Sequence, residues 1–250
     1  MVADYHHAGR KAEDIVGHGT HVAGIIAAIA NNATGIAGVA ACKIETWKIF
    51  PDEPDSDGEF YVDSEVYLQA LRDVRDATAR GVRVLNLSIG GGESSNTEQL
   101  LFRRIAAAGV TVAGAMGNEF EDGNPVEYPA AYDTVYAVGA IASDLRRGSF
   151  SNTGAHIKIM APGVSILSTL PRRKSAYRDE TGYASWDGTS MATPHVAGSA
   201  ALYYAKHPTA APAGVRDALT SSARKVPAMG SKSFTRQYGS GLLDLKALLG

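Results

Sequence analysis

Three polar residues stand where a catalytic site could form, each beside a run of small or apolar residues. Ser190 follows a Gly-Thr turn and opens a small-residue run that predicts a buried helix, and His18 follows a glycine at the start of another. The first N–H groups of a helix are unpaired and favour negative charge, so Ser190 is suited to nucleophilic attack with His18 as its base. Asn118 follows the apolar run 110–115, and its amide could donate to an oxyanion.

Each of these residues also has a structural explanation when taken alone. A serine at a helix start is usually an N-cap, a histidine there is usually a satisfied structural group, and Asn after Gly is usually a turn. His18 and His21 are three residues apart and could form half of a metal site, but no third ligand follows at suitable spacing. The catalytic interpretation therefore depends on the three residues occurring together.

The elements that must position these residues alternate along the chain. The patterns predict strands at 43–50, 82–89, 110–115, 134–140 and 157–161, and helices at 20–30, 63–80, 97–108, 190–206 and 215–222. Such alternation predicts an α/β fold of three layers, a mostly parallel sheet with helices on both faces. Active sites of such folds collect at the carboxyl ends of the strands, where Asn118 falls.

Composition narrows the class of protein and its partners. The 250 residues are 45% hydrophobic and 20% charged, which are globular proportions. The net charge of −2 argues against a nucleic-acid binder, and no apolar run reaches the ~18 residues of a membrane span. We therefore expect neither nucleic acid nor a membrane as a partner. Cys42 is the one cysteine, so an internal disulfide is excluded.

Three motifs together resemble those of the subtilisin-like serine peptidases, the subtilases. They are GHGTHVAG at 17–24, GNE at 117–119 and GTSMATPH at 188–195. The stretches NLSIGGG, YPAAYDTVYAVGA and MAPGVSILST are similar to further blocks of the family. The resemblance runs from about residue 17 to residue 249, and it implies a single subtilisin-like peptidase domain over residues 1–250.

The resemblance implies a serine endopeptidase that hydrolyses peptide bonds of peptide and protein substrates. His18 would take the proton of Ser190 as Ser190 attacks the carbonyl, and would later give it to the leaving amine. Asn118 and the Ser190 N–H would hold the oxyanion. His21 and His195 match histidines of the family that serve packing and hydrogen bonding.

The resemblance also implies where substrate lies. The substrate-binding residues would be Ser88, Ile89, Gly90, Ala115, Met116, Gly117 and Glu127. Glycine at Gly90 would let the substrate backbone approach as a strand. Glu127 would lie at the bottom of the pocket for the side chain before the cleaved bond, favouring Lys or Arg while tolerating Leu, Phe and Tyr. The alternative is that Glu127 is a loop carboxylate turned to solvent.

The triad acid of the family has no match in this chain. It belongs to an early strand well before the histidine, yet only 17 residues precede His18, and no D-[ST]-G segment occurs. Asp14 matches a different acidic residue, and Asp4 would have to reach His18 over 14 residues, which span up to ~45 Å. We therefore expect a domain that is N-terminally incomplete relative to the family. The early strand that carries the acid could be truncated or replaced, or a partner chain or swapped segment could complete the sheet. The alternative function is an inactive domain that binds peptides without turnover.

Cofactors and location are weaker expectations. The resemblance implies a calcium loop at Asn31–Gly35, but that loop offers only amide, hydroxyl and carbonyl oxygens. Lys158 stands near a second calcium position of the family, and the EF-hand-like start at 53–58 has Ser64 at its twelfth position instead of Glu. We expect no metal and no other cofactor. The resemblance favours an extracellular protein, although a cytoplasmic one is compatible with the absence of disulfides.

Overall fold

The computed structural model describes residues 2–6 and 13–250. Within those residues the strands are β1 (Val2–His6), β2 (Ile44–Trp47), β3 (Val84–Leu87), β4 (Thr111–Ala115), β5 (Val135–Ile141), β6 (Ile157–Pro162), β7 (Ile166–Thr169) and β8 (Tyr183–Trp186). The helices are α1 (His18–Ala27), α2 (Ser64–Asp76), α3 (Asn96–Ala107), α4 (Thr189–Lys206), α5 (Pro212–Ser222) and α6 (Leu245–Leu249). Across the described ranges, no helix is both long and apolar enough to cross a membrane.

The main sheet is four parallel strands in the order β3-β4-β5-β6. Every residue of β4 and β5 is buried, as expected for the centre of a parallel sheet that is covered on both faces. The register sets Val84 beside Thr111 and Val112 beside Val135. The carboxyl ends of these strands therefore meet at one edge, where the candidate site residues lie.

Helices cover both faces of this sheet, which confirms the predicted three-layer α/β fold. Side chains alternate across a strand, so neighbouring residues of β4 enter different cores. Ala113 packs with Val196 of α4, whereas Val112 packs with Phe102 and Ile105 of α3. Helix α4 has no polar face, so it must be buried on all sides. Its small side chains let it lie close to the strands.

The sheet is interrupted between β2 and β3. Strands β1 and β2 pair in parallel as a separate two-stranded sheet, with Tyr5 beside Thr46, and neither strand is bonded to β3. Trp47 of β2 nevertheless packs in the same cluster as Leu85 of β3, so β2 lies alongside the main sheet. All four residues of β2 are only partly buried, unlike those of β4. The facing edges of β2 and β3 thus lack a bonded strand between them in the part of the chain that the structure describes.

An antiparallel hairpin of β7 and β8 holds helix α1. Ser168 Oγ donates to the His21 carbonyl at 2.6 Å, and Thr169 Oγ1 donates to the Thr20 carbonyl at 2.9 Å. The approach is so close that a Cβ at Gly24 would come within 2.3 Å of Thr169 Oγ1. The sequence patterns did not predict these two strands, although they position the helix that begins at His18.

Candidate active site

The packing of α1 on α4 brings His18 and Ser190 to the same edge of the molecule. Val22 and Ile25 of α1 contact Met191 of α4, and His18 and Ser190 are the first and second residues of the two helices. Gly188 caps α4 without any side-chain hydrogen bond. The Ser190 N–H therefore belongs to the unpaired donors of the first helical turn.

Ser190 is tied to the segment that follows β3. Its Oγ donates to the Ser88 carbonyl at 3.2 Å, and Ser88 Oγ donates to the Ser190 carbonyl at 2.8 Å. Among the residues that the structure describes, no hydrogen bond joins Ser190 Oγ to the His18 ring. Catalytic hydrogen bonds are often formed only when substrate is bound, so this geometry is compatible with a Ser–His pair.

Burial favours the neutral form of the His18 ring. Burial lowers the pKa of its ring below the usual 6.5; nearby Asp14 opposes this shift and His21 adds to it. Asp14 itself caps α1, because its carboxylate accepts from the Gly17 N–H at 2.8 Å and from the Thr20 N–H at 2.7 Å. In the described chain no carboxylate is bonded to the His18 ring. Asp4 lies in β1 beside Glu45, and its side chain is outside the described structure.

Asn118 is fixed with its amide nitrogen toward the start of α4. Its Oδ1 accepts from the Thr189 N–H at 2.9 Å and from Thr189 Oγ1 at 3.0 Å. Its Nδ2 lies 3.8 Å from the position of a Cβ at Gly188, and the residue is exposed. Both Nδ2 and the Ser190 N–H are thus available to an oxyanion beside Ser190 Oγ.

The segment Ser88–Gly90 follows β3, and apart from the Ser88 carbonyl, which accepts from Ser190 Oγ, its backbone forms no hydrogen bond in the described part of the chain. The strand ends at Leu87, so the predicted strand 82–89 is shorter than expected at both ends. Gly90 is exposed and has no backbone hydrogen bond in the described part of the chain. The next residue, Gly91, forms two backbone hydrogen bonds with Tyr128, at 2.8 and 2.9 Å. This bridge sets Glu127 against Gly90.

Glu127 lies between the two segments expected to wall the pocket. A Cβ at Gly90 would come within 2.4 Å of Glu127 Oε2, and a Cβ at Gly117 within 2.7 Å of its Cγ. The residue is 8% exposed, so its side chain does not turn to solvent. Burial raises the pKa of its carboxyl, and Glu119 raises it further. Ala115 and Met116, which precede Gly117, are buried.

Three residues at the site carried no signal of their own in the sequence analysis. Thr189 is fully buried; its hydroxyl donates to Asn118 and also accepts from the Gly117 N–H at 3.2 Å. Glu119 Oε2 accepts from the Asn118 N–H at 2.6 Å and from Asn152 Nδ2 at 3.2 Å. Thr189 and Glu119 lie inside two of the motifs, which gave no hint of these contacts, whereas nothing in the sequence marked Asn152.

The other histidines of the motifs have structural surroundings. His21 is fully buried, stacks on Trp186 at 4.5 Å and has its Nε2 3.0 Å from the Ala184 carbonyl. His195 Nδ1 lies 2.9 Å from the Met191 carbonyl. Within the described residues no group of three His, Cys, Asp or Glu side chains is placed to hold a metal.

The candidate calcium loop is an exposed turn around Asn31–Gly35. Asn32 Oδ1 accepts from the Thr34 N–H at 3.2 Å, so the loop uses one of its few side-chain oxygens internally. No carboxylate belongs to Ile29 or to residues 31–37, which line the hollow beside it. A hard cation needs several oxygen ligands, usually including carboxylates, and these residues do not fit it well.

The parallel sheet, the serine at the start of a buried helix and the fixed asparagine define a subtilisin-like serine protease. The sequence model of the Subtilase family matches residues 2–241, and the chain belongs to that family. This confirms the family predicted from the three motifs and the serine endopeptidase class.

Relatives and solved structures agree with this assignment. The chain is 40% identical to subtilisin DY of Bacillus licheniformis over 234 residues, 92% of this chain and 77% of that protein. It is 41% identical to subtilisin E of Bacillus subtilis (strain 168) over 238 residues, 94% of this chain and 56% of that protein. The structure of fervidolysin from Fervidobacterium pennivorans, a keratinolytic enzyme related to subtilisin, matches with a TM-score of 0.81 and 32% identity, covering 94% of this chain and 36% of fervidolysin.

Proposed function

We propose that the chain cleaves peptide bonds through Ser190, His18 and Asn118. Ser190 Oγ attacks the carbonyl carbon as His18 takes its proton, and His18 then protonates the leaving amine. Water then attacks the acyl-serine with His18 as its base, and His18 returns the proton to Ser190 Oγ. The observation that supports this proposal best is the double contact of Asn118 Oδ1 with Thr189, which leaves Nδ2 and the Ser190 N–H for the oxyanion.

Within the described residues no carboxylate is bonded to the His18 ring, and this limits the rate that we expect. Enzymes of this kind that lose the triad acid lose roughly 10⁴-fold in kcat and still exceed the uncatalysed reaction, a magnitude known from subtilisin and trypsin rather than from this chain. The second candidate function, peptide binding without turnover, rests on the lack of any carboxylate bonded to His18 in the described residues. Both candidates use the same cleft, so the reactivity of Ser190 separates them.

Labelling with a serine-directed phosphonofluoridate tests the nucleophile directly. We expect one adduct per chain on Ser190, located by mass spectrometry, and slow hydrolysis of unstructured peptides. Ser190→Ala should show neither, while Ser199→Ala, a buried serine of the same helix, should keep both. No adduct together with no hydrolysis would leave only the binding function.

We also propose that an extended segment completes the sheet between β2 and β3. Thr46 Oγ1 and Trp47 Nε1 on β2 and Asn86 Oδ1 on β3 are buried atoms without a hydrogen-bond partner. Open strand edges and buried polar atoms without a partner both cost free energy. The backbone of a parallel strand would pair with the two edges, and its polar groups would bond to these side-chain atoms. A carboxylate at the C-terminal end of that strand would be close to the His18 end of α1, at the edge where the parallel strands finish. A partner chain or a swapped segment could supply it.

Peptide complementation tests this segment. The probes are two apolar, β-branched peptides of about eight residues that differ only in a final Asp or Asn. We expect both to raise the melting temperature and only the Asp peptide to raise kcat. If neither changes the melting temperature at millimolar concentration, the open edges do not accept a strand. If both peptides raise kcat equally, the carboxylate has no role.

We propose further that the pocket prefers Lys or Arg before the cleaved bond. The buried Glu127 between Gly90 and Gly117 would pair with a long basic side chain whose stem packs on the glycines. At about 1 kcal/mol for such a pair, the preference is about fivefold. Since burial raises the pKa of Glu127, the preference should disappear on acidification at a higher pH than for an ordinary glutamate.

Matched peptides with Arg, Glu and Phe before the cleaved bond test this preference in wild type and Glu127→Gln. We expect the substitution to lower the Arg-to-Glu ratio of kcat/KM about fivefold and to leave the Phe value nearly unchanged. An unchanged ratio would show that Glu127 does not set the specificity. Gly90→Val should block hydrolysis of all three peptides if substrate pairs along Ser88–Gly90.

Two further proposals concern calcium and location. We propose that the chain holds no calcium tightly, because the loop Asn31–Gly35 offers no carboxylate. A chelator should then leave the melting temperature unchanged, and a sharp fall would contradict this. We also propose, on the resemblance to the family, that the protein acts outside the cell. Detection of the native protein only in the cytoplasmic fraction would contradict it.

A further inference from the structure

The connection between β7 and β8, residues 171–182, lies against the start of α1; we call it the strap. Ser175 Oγ donates to the Ile15 carbonyl. The side chain of Arg178 fills the space beside Gly17, because a Cβ there would come within 3.0 Å of its Cδ and Nε atoms. The strap is therefore fixed beside the residues that lead directly into α1, the helix that begins with the proposed general base.

Contacts within and around the strap hold it in one shape. The Ser175 N–H donates to the Arg178 carbonyl at 3.0 Å, and Arg178 Nη2 donates to the Arg173 carbonyl at 2.6 Å. Tyr177 packs edge-on against Phe60 with ring centres 5.2 Å apart. Arg178 is only 8% exposed, so a buried guanidinium ties the two halves of the strap together. A loop held in this way presents its outward side chains in place, which reduces the entropy lost on binding.

The outward side chains of the strap form a positive patch. Its first half carries three consecutive exposed basic residues, Arg172, Arg173 and Lys174. The side chains of Arg172 and Arg173 make no hydrogen bond or ion pair with the residues that the structure describes. Lys174 Nζ pairs with Asp179 of the same strap at 3.1 Å, and both of these side chains are mostly exposed. The strap holds four basic and two acidic residues, so it stays positive as a whole.

The pocket beside Ser190 carries the opposite charge. A Cβ at Gly117 would come within 2.9 Å of Glu119 Oε2 and within 2.7 Å of Glu127 Cγ, so both carboxyl side chains border the same glycine. This is the pocket proposed for the side chain before the cleaved bond. The candidate site is therefore negative on the side of Gly117 and positive where the strap lies.

The proposed mechanism puts the residues after the cleaved bond on the side of the strap. His18 gives its proton to the leaving amine, so that amine must lie against the ring at the start of α1. The residues before the bond occupy Ser88–Gly90, and the chain after the amine leaves in the opposite direction. An extended chain advances about 3.3–3.6 Å per residue, so its second to fourth residues lie about 7–14 Å beyond the amine. Long arginine side chains on the strap can reach that stretch.

We therefore propose that the strap makes the protein prefer Asp or Glu at the second to fourth positions after the cleaved bond. The inference rests on the proposed function, because it uses the same Ser190 and His18. Arg172 and Arg173 carry the attraction, since a guanidinium can bind a carboxylate through two parallel hydrogen bonds. These side chains are exposed, so each pair should raise kcat/KM about threefold and should weaken in salt.

Matched fluorogenic peptides test this preference. They share an arginine before the cleaved bond and a serine after it, and they carry Asp-Asp, Asn-Asn or Lys-Lys at the next two positions. Mass spectrometry confirms which bond is cut. For the wild-type chain we expect kcat/KM to fall about tenfold from Asp-Asp to Asn-Asn at low salt, and further for Lys-Lys. The difference should shrink in about 0.5 M NaCl, because salt screens exposed charges.

Charge variants assign the preference to the strap. Neutralising it with Arg172→Gln, Arg173→Gln and Lys174→Gln together should remove the difference between the Asp-Asp and Asn-Asn peptides. The matched control removes the same charge from exposed positions outside the strap: Arg103→Gln, Arg104→Gln and Lys232→Gln. This control should keep the wild-type preference. Arg172→Glu combined with Arg173→Glu should reverse the preference, so that Lys-Lys becomes the better substrate.

The outcomes separate failure of this inference from failure of the proposed function. If the wild-type chain cuts all three peptides equally well, the strap sets no preference, and the proposed function stands without it. If the neutralised strap keeps the preference, or the control variant loses it equally, the strap is not its source. An equal gain from two Asp residues placed before the arginine would show a general attraction of acidic peptides and would overturn the inference. If no peptide is cut, the proposed function is wrong and the inference fails with it.

Discussion

Replacing Thr189 with valine tests how the oxyanion site is built. The substitution keeps the shape of the side chain and removes one hydroxyl. That hydroxyl donates to Asn118 Oδ1 at 3.0 Å and accepts from the Gly117 N–H at 3.2 Å, and the residue has no exposed surface. Thr189→Val therefore leaves a buried N–H without an acceptor and leaves the Asn118 amide held only by the Thr189 N–H, at 2.9 Å.

The expected magnitudes follow from these contacts. An unpaired buried donor costs about 1–3 kcal/mol of unfolding free energy, and in a domain of this size each kcal/mol lowers the melting temperature by roughly 2–4 °C. Loss of a whole oxyanion donor costs about 10²–10³-fold in kcat, a range measured on the corresponding asparagine of subtilisin. Asn118 keeps one of its two anchors here, so we expect a smaller loss than that range, roughly tenfold in kcat, and little change in KM.

Hydrolysis of a fluorogenic peptide and thermal unfolding would be measured on Thr189→Val, Thr189→Ser and Thr193→Val. Thr193 is the matched control, because its buried hydroxyl donates only to the Thr189 carbonyl, at 2.8 Å. Thr189→Ser should recover most of the kcat, and Thr193→Val should lose stability while keeping kcat. If Thr189→Val lowers kcat no more than Thr193→Val does, Thr189 does not hold the amide in place.

Two other predictions concern His18 and a buried carboxylate. Because burial lowers the pKa of His18, the acid limb of kcat/KM should lie below pH 6.5, and Asp14→Asn should move it lower still by removing a charge that raises this pKa. A limb above pH 6.5 would mean that another carboxylate pairs with His18. Glu98 is buried and accepts from the hydroxyls of Tyr67 and Tyr132, each at 2.7 Å. Glu98→Leu should therefore lower the unfolding free energy by about 2–5 kcal/mol in a denaturant titration, and a loss below 1 kcal/mol would show that water replaces the carboxylate.

Sequence patterns predicted the centre of the main sheet well because β4 and β5 are apolar runs that are buried along their whole length. The runs 110–115 and 134–140 match β4 and β5 to within one residue at each end. The hairpin of β7 and β8 was not predicted, because each strand has only four residues and leaves part of one face exposed. Short strands of that kind are stabilised by the helix they hold rather than by their own pattern.

The candidate site divides in the same way. Motifs predicted Ser190, His18 and Asn118 as site residues, since each has a residue type and position that the chemistry requires, and their roles stay predictions. They did not identify the second role of Thr189 or the part of Asp14 in capping α1, because both depend on atoms brought together by folding. The burial of Glu127 likewise follows from the bridge between Gly91 and Tyr128, a contact between distant parts of the chain.

The break between β2 and β3 also bears on how the molecule opens. Hydrogen bonds transmit cooperativity across a sheet. Within the described residues, β1 and β2 share no strand pairing with the four central strands and are joined to that part of the molecule by side-chain contacts, such as the ion pair of Glu45 with Arg80, and by the chain itself. Segments with few shared hydrogen bonds open locally at lower free energy than the core. Amide protons of Ile44–Trp47 should therefore exchange with solvent long before those of Val135–Ile141, as two separate foldons within one protease.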